Sequence, residues 1–280
     1  MDLEPGTPAG RAGLAALLAA PAEAVVALDF DGVLAPIVAD PEQARPHPGA
    51  LPALARLAPL LGAVVVVTGR AAETVVRLGS LAGAPGLERL VVLGHYGAER
   101  WEAATGELRT PEPHPGVAAI RAELPLLLVE LDAPAGTWLE DKGRSLAVHT
   151  RRAADPDGAL QRLREPLGRL AARHGLAVEP GRMVVELRPP GIDKGAALTA
   201  FLAERGAGSV LYAGDDLGDL AAYAAVEKLR GQGLPGLLVY SGPVTGEPPV
   251  RELADRADLV VAGPGGVAAL LESLYESAVS

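Results

Sequence analysis

No cysteine occurs in the 280 residues, which removes disulfide staples, a thiolate nucleophile and cysteine-ligated zinc together. Aromatic residues are scarce, at 3%, so there are few rings on which single-stranded bases could stack. Basic residues are outnumbered: 25 Lys and Arg stand against 35 Asp and Glu, and a net charge of −10 is unsuited to a broad phosphate-backbone contact. No nucleic-acid partner is therefore expected. No apolar run is long enough to span a bilayer, and no basic segment followed by an apolar stretch opens the chain. The expectation is a soluble cytoplasmic protein without a membrane partner, and a monomer, because no exposed apolar helix stands out.

What is present is a globular composition, 49% hydrophobic and 21% charged, long enough for one large core or two smaller ones. Residues 1–22 read as an N-terminal extension with a loose end and a short helix over 11–20. Beyond it, short β-branched runs at 25–30, 63–68, 90–93, 210–213, 237–240 and 259–262 alternate with amphipathic stretches at 49–61, 71–81, 194–205, 217–228 and 266–276. Continuous apolar strands alternating with helices predict an α/β fold, a Rossmann-like parallel sheet covered on both faces. Residues 114–188 break the pattern. Strands over 137–140, 145–150 and 184–188 surround a helix over 157–174, and Lys142-Gly143-Arg144 reads as a hairpin turn. This predicts an inserted α+β domain at 114–188 in a core built from 23–113 and 189–280. Charge divides the same way: the insert holds 11 basic and 10 acidic residues, leaving 14 basic and 25 acidic elsewhere. The near-neutral insert is the better host for part of an anionic ligand.

Three predicted strands end in polar sequence. The first ends in Asp29-Phe30-Asp31-Gly32, the second in Thr68-Gly69-Arg70, the third in Gly214-Asp215-Asp216-Leu217-Gly218-Asp219. Ligands of open α/β sheets bind outside the carboxyl ends of the strands, so these ends share one crevice. Each segment alone also fits a plain reading: a solvated turn, a strand-to-helix connection, or, for Lys194 in Gly191-Ile192-Asp193-Lys194-Gly195, a solvated helix-start lysine. Together they fit phosphoryl transfer, in which a protein mainly positions the phosphoryl group and stabilises charge. Asp29 is the candidate nucleophile, able to form an aspartyl-phosphate. Asp31 is the candidate general acid and base. Thr68 and the Gly69 N–H can bind a phosphate oxygen, with Arg70 as a further substrate contact, and Lys194 faces the anion from a helix start. Clustered acids are costly without a cation, so Asp29, Asp215, Asp216 and the Asp31 carbonyl are the candidate ligands of Mg²⁺.

These segments, in this order, resemble the motifs of the haloacid dehalogenase superfamily of aspartyl phosphatases. The likeness narrows to one family. Leu28-Asp29-Phe30-Asp31-Gly32-Val33-Leu34-Ala35-Pro36-Ile37 is similar to the opening motif of trehalose-6-phosphate phosphatases, and Gly94-His95-Tyr96-Gly97-Ala98-Glu99 resembles a second segment of theirs. Glu140-Asp141-Lys142-Gly143 with Ser145-Leu146-Ala147-Val148-His149 resembles their cap pattern, and Glu186-Leu187-Arg188-Pro189 before Asp193-Lys194-Gly195 a fourth. The resemblance spans roughly residues 24–275. It implies a Mg²⁺-dependent phosphoric monoester hydrolase acting on trehalose 6-phosphate, with the insert as a lid. It also implies Glu140 and Lys142 as sugar contacts, with Glu186 as a second acidic one. A lone histidine on a strand is ordinarily structural, and His149 is given no part in catalysis.

The sequence departs from that pattern at Val33, where the family often has threonine, and at Gly218 and Leu220, where it has threonine and glutamate. These changes bear on rate or substrate range, while all three aspartates of the last motif remain. Alternatives stay open: a phosphatase for sucrose phosphate or mannosyl-phosphoglycerate, a phosphomutase, a non-catalytic sugar-phosphate sensor, or a receiver-type domain. The last would need neither Asp31 at this spacing nor the insert.

Overall fold

The computed structural model describes residues 3–181, 183–244 and 248–280; the ends of the expected extension at 1–2 and position 182 of the expected insert lie outside them. The strands are β1 (Ala24–Leu28), β2 (Ala63–Val67), β3 (Leu90–Gly94), β4 (Glu99–Glu102), β5 (Leu108–Arg109), β6 (Trp138–Asp141), β7 (Leu146–His149), β8 (Ala177–Gly181), β9 (Val184–Arg188), β10 (Ser209–Gly214), β11 (Gly236–Gly242) and β12 (Leu259–Ala262). The helices are α1 (Pro8–Ala19), α2 (Ala50–Leu57), α3 (Ala72–Leu78), α4 (Pro115–Glu130), α5 (Pro156–Arg173), α6 (Lys194–Arg205), α7 (Leu220–Gly231), α8 (Arg251–Ala254) and α9 (Gly263–Ala278). No described helix is long and apolar enough to cross a membrane.

The chain separates into two compact units, Met1–Thr110 with Asp193–Ser280, and Pro111–Ile192. In the first, the strand order is β12-β11-β10-β1-β2-β3-β4-β5, parallel from β12 through β3 and antiparallel at β4 and β5. Every residue of β1, β2 and β10 is buried, as a sheet covered on both faces requires. Alternation sorts their side chains: Val26 and Leu28 join a layer with α1, α2, α3 and α9, whereas Val25 and Ala27 join one with α6, α7 and α8. Helix α1 begins at Pro8, three residues before the expected start. Thr7 caps it by accepting from the Gly10 N–H at 2.9 Å, and the Gly6 N–H donates to the Asp258 carbonyl, so this end is tethered rather than loose.

The second unit is a four-stranded antiparallel sheet, β6-β7-β9-β8. One face, with Leu146, Val148, Val185 and Leu187, is buried against Val117, Ile120 and Leu124 of α4 and Leu163, Leu167 and Leu170 of α5. The other face is polar: Glu140, Ala147, Glu186 and Glu179 lie in one cross-strand row. The Lys142-Gly143-Arg144 turn links β6 to β7, with Gly143 at φ +80° and the Lys142 N–H bonded to the Ser145 carbonyl at 3.0 Å.

Candidate active site

In the parallel sheet Leu28 lies in register with Ala213 of β10 and Val66 of β2, so Asp29, Asp215 and Thr68 leave the sheet at one edge. Asp29 is buried. Its Oδ2 accepts from Lys194 Nζ at 2.6 Å and its Oδ1 from the Phe30 N–H at 2.6 Å. Lys194 opens α6, whose cap Asp193 accepts from the Ala196 N–H, and the same ammonium donates to Asp219 Oδ1 at 2.7 Å. Asp219 is fully buried and accepts four bonds. Lys194 and the Tyr212 hydroxyl (2.6 Å) reach Oδ1, while the Asp215 and Asp216 N–H groups (2.8 and 3.1 Å) reach Oδ2. A carboxylate offers about four lone-pair sites, so Asp219 is saturated and shapes the loop from behind. The sequence marks Asp219 only as one of a trio of acids expected to need a cation, not as the residue that ties the loop together, and nothing in it marks Tyr212.

Carboxylate oxygens of Asp29, Asp215, Asp216 and Asp219 all lie within 4.8 Å of one another. Burial pushes the carboxyl pKa of Asp29 and Asp215 well above the ordinary value and raises that of Asp216, and the neighbouring aspartates add to each rise. Lys194 opposes it, but one ammonium cannot balance four carboxylates. An all-carboxylate donor set with surplus negative charge fits a hard divalent cation. Asp29, Asp215 and Asp216 keep unfilled acceptor sites that could face a cation, whereas Asp219 already accepts four bonds.

The turn after Asp29 is built by Phe30, whose carbonyl accepts from the Leu34 and Ala35 N–H groups. Gly32 sits at φ +69°, and a Cβ there would lie 2.0 Å from Asp215 Oδ2, so only glycine lets the two loops approach. The buried Ser241 hydroxyl, on β11, donates to the Gly32 carbonyl at 2.6 Å. Asp31 accepts from Arg70 on both oxygens, at 2.6 Å from Nε and 2.7 Å from Nη2, a bidentate pair. Arg70 is steadied by a further bond from Nη1 to the Pro41 carbonyl. Thr68 is buried, and the carbonyls of Thr68 and Arg70 accept from the Tyr96 and His95 N–H groups at 2.8 Å each. The Tyr96 hydroxyl oxygen would lie 2.8 Å from a Cβ on Gly69. The 94–99 segment therefore braces the Thr68-Gly69-Arg70 turn, a role not foreseen from sequence.

The remaining sequence candidates lie in the second unit. Lys142 Nζ donates to Glu186 Oε2 at 3.0 Å, and the Ser145 hydroxyl donates to Glu186 Oε1 at 2.5 Å. Glu140 pairs through Oε2 with His149 Nε2 at 2.8 Å.

The fold is shared with haloacid dehalogenase-like hydrolases. One such hydrolase from Bacteroides thetaiotaomicron aligns at a TM-score of 0.61 and 16% identity, over 89% of this chain and 98% of its own. The trehalose-phosphatase family profile matches residues 27–257, and the chain belongs to that family; it is a phosphatase. A probable trehalose-phosphate phosphatase of Sinorhizobium fredii is 33% identical over 211 residues, 73% of this chain and 74% of that one. A trehalose-phosphate phosphatase of Mycolicibacterium paratuberculosis is 34% identical over 77% of this chain, which spans only 54% of that protein. The structure of Aspergillus fumigatus trehalose-6-phosphate phosphatase shares the fold at a TM-score of 0.67 and 21% identity, covering 98% of this chain and 99% of that one.

Proposed function

We propose that the chain hydrolyses trehalose 6-phosphate to trehalose and phosphate, with Mg²⁺ as its metal and phospho-Asp29 as intermediate. The observation that carries this reading is the buried Asp29 carboxylate, pinned by Lys194 beside a surplus of acids, in a chain of the trehalose-phosphatase family. Mg²⁺ held by Asp29, Asp215, Asp216 and the Asp31 carbonyl would supply the positive charge that lets a carboxylate approach a dianionic phosphate.

An Asp29 oxygen attacks phosphorus; the new O–P bond forms as the bond to the sugar oxygen breaks, and that oxygen takes a proton from Asp31. Water then attacks phosphorus, gives its proton to Asp31, and frees Asp29 as a carboxylate. Asp31 cannot serve while Arg70 occupies both its oxygens, so the guanidinium must first give one up. Bound phosphate offers Arg70 an equivalent bidentate partner. The Thr68 hydroxyl and Gly69 N–H complete the anion contacts. We assign sugar recognition to the second unit, where Glu140, Lys142 and Glu186 present acceptors and a donor to hydroxyls.

Phosphate release is the test, measured with Mg²⁺ and with chelator on trehalose 6-phosphate, sucrose 6-phosphate, glucose 6-phosphate and mannosyl-phosphoglycerate. The expected result is metal-dependent turnover favouring trehalose 6-phosphate and abolished by Asp29→Asn. Preference for another substrate overturns the substrate assignment. Turnover that survives Asp29→Asn overturns the mechanism.

A further inference from the structure

The polar face of the second unit holds a layer that the reaction as proposed does not use. Trp138 and His149 are directly opposed on β6 and β7, and their rings stack with centroids 4.4 Å apart and planes 6° from parallel. The Arg152 guanidinium carbon lies 4.5 Å from the Trp138 ring centre. Trp138 thus has a ring on one face, and its orientation is set by two neighbours. The stacked imidazole has its plane fixed in turn, and its Nε2 meets Glu140 Oε2 at 2.8 Å. Glu140 stands opposite Ala147, two positions from the stacked pair on its own strand, which puts it diagonal to His149.

We infer that His149 is a positioning residue for sugar recognition: it holds the Glu140 carboxylate in a binding-ready rotamer, and Trp138 fixes the imidazole that does so. The inference rests on the reading of Glu140 as a sugar contact. The physical reason is entropy. A glutamate has three side-chain torsions, and its side chain here is 44% exposed, so without a fixed partner much of a hydroxyl contact's free energy goes into ordering it. Imidazole is suited to the task because it is rigid, has a flat face for the indole, and carries a nitrogen at its edge for the carboxylate. The row continues across Ala147 to Glu186, which Ser145 and Lys142 hold in the same manner. The two acids are two strand spacings apart, about 10 Å, and each is pre-oriented by a neighbour from the same face. Such a pair suits a ligand longer than one sugar ring.

The imidazole acts on substrates that carry the sugar and has no part in phosphoryl transfer. The test compares His149→Phe and His149→Gln in the full-length Mg²⁺-loaded enzyme, using trehalose 6-phosphate and p-nitrophenyl phosphate. His149→Phe keeps a ring on Trp138 and removes the nitrogen. It is expected to raise KM for trehalose 6-phosphate about tenfold, the size of one well-formed contact, while kcat/KM for p-nitrophenyl phosphate stays within about twofold. His149→Gln keeps an N–H donor and is expected to recover most of the KM. In a Glu140→Gln background His149→Phe is expected to add little, because the two act as one contact. Three results overturn the inference while leaving the function intact: an unchanged KM, an equal loss on both substrates, or additive effects in the double variant. A wild-type enzyme with no preference for trehalose 6-phosphate over p-nitrophenyl phosphate overturns the functional reading itself, and this inference falls with it.

Discussion

Asp219 organises the strand-end loops through four hydrogen bonds, one of which is a buried ion pair with Lys194. Its four donors come from a lysine, a tyrosine and two backbone amides, so Asp219→Asn must turn an amide N–H against one of these pairs. Divalent-metal affinity is expected to fall at least tenfold, about 1.4 kcal/mol, as read by calorimetric titration. Tyr212→Phe removes one donor and leaves three, and a smaller change is expected: about 1–2 kcal/mol of stability in urea titration, with metal binding largely kept. Gly32 carries a geometric demand. An alanine there would be strained at φ +69° and would push Asp215 away, and kcat is expected to drop about a hundredfold with the fold retained. Unchanged turnover in Gly32→Ala would show that Asp215 need not lie against that turn.

At the level of elements, Asp258 fastens three segments. Its buried carboxylate accepts from the Thr7 hydroxyl, from Arg230 of α7 and from the Leu238 N–H of β11 at 2.7 Å. Asp258→Ala leaves Arg230, among the described residues, with the Gly236 carbonyl alone and is expected to cost about 3 kcal/mol, lowering the urea midpoint. Phosphatase activity measured well below that midpoint is expected to persist, because Asp258 touches none of the strand-end loops. Several elements absent from the sequence reading lack a clean local pattern, each for its own reason. Helix α4 carries Pro125 inside it and exposes Leu126 and Val129 opposite buried Val117, Ile120 and Leu124, so it has apolar residues all round and no clean period. Strand β8 contains Pro180 and Gly181, tolerated because it is an edge strand. Strand β4, Glu99-Arg100-Trp101-Glu102, is too charged to read as a strand without its neighbour β3.

Across the whole molecule the dominant electrostatic fact is unbalanced acid at one edge of the sheet. Folding without a cation raises the pKa of Asp29, Asp215 and Asp216 above the ordinary 3.8. A raised folded-state pKa means the folded protein binds protons more tightly than the unfolded chain. That contribution to stability is therefore complete below the unfolded value and lost as pH rises through the folded ones. A divalent cation removes the same repulsion. The rise in melting temperature on adding Mg²⁺ is thus expected to be larger at pH 8 than at pH 5, measured by differential scanning calorimetry. An equal rise at both pH values would mean that these three carboxyls are not where the metal acts.

The sequence alone determined the parallel α/β frame, because short β-branched runs such as 63–67 alternate with amphipathic stretches, and helix α6 falls on the expected 194–205. It also set which chemical groups stand at each strand end, since a motif such as Asp29-Phe30-Asp31-Gly32 is local and its residue types limit what it can do. Only the tertiary structure decided which of those groups are engaged with one another. Arg70 grips Asp31, Asp219 is spent on four donors, Ser241 holds Gly32 from 209 positions away, and His149 rather than solvent holds Glu140. Hydrogen-bond partners between distant segments follow from how the layers pack, and a linear pattern of hydrophobicity and turns carries no record of that packing.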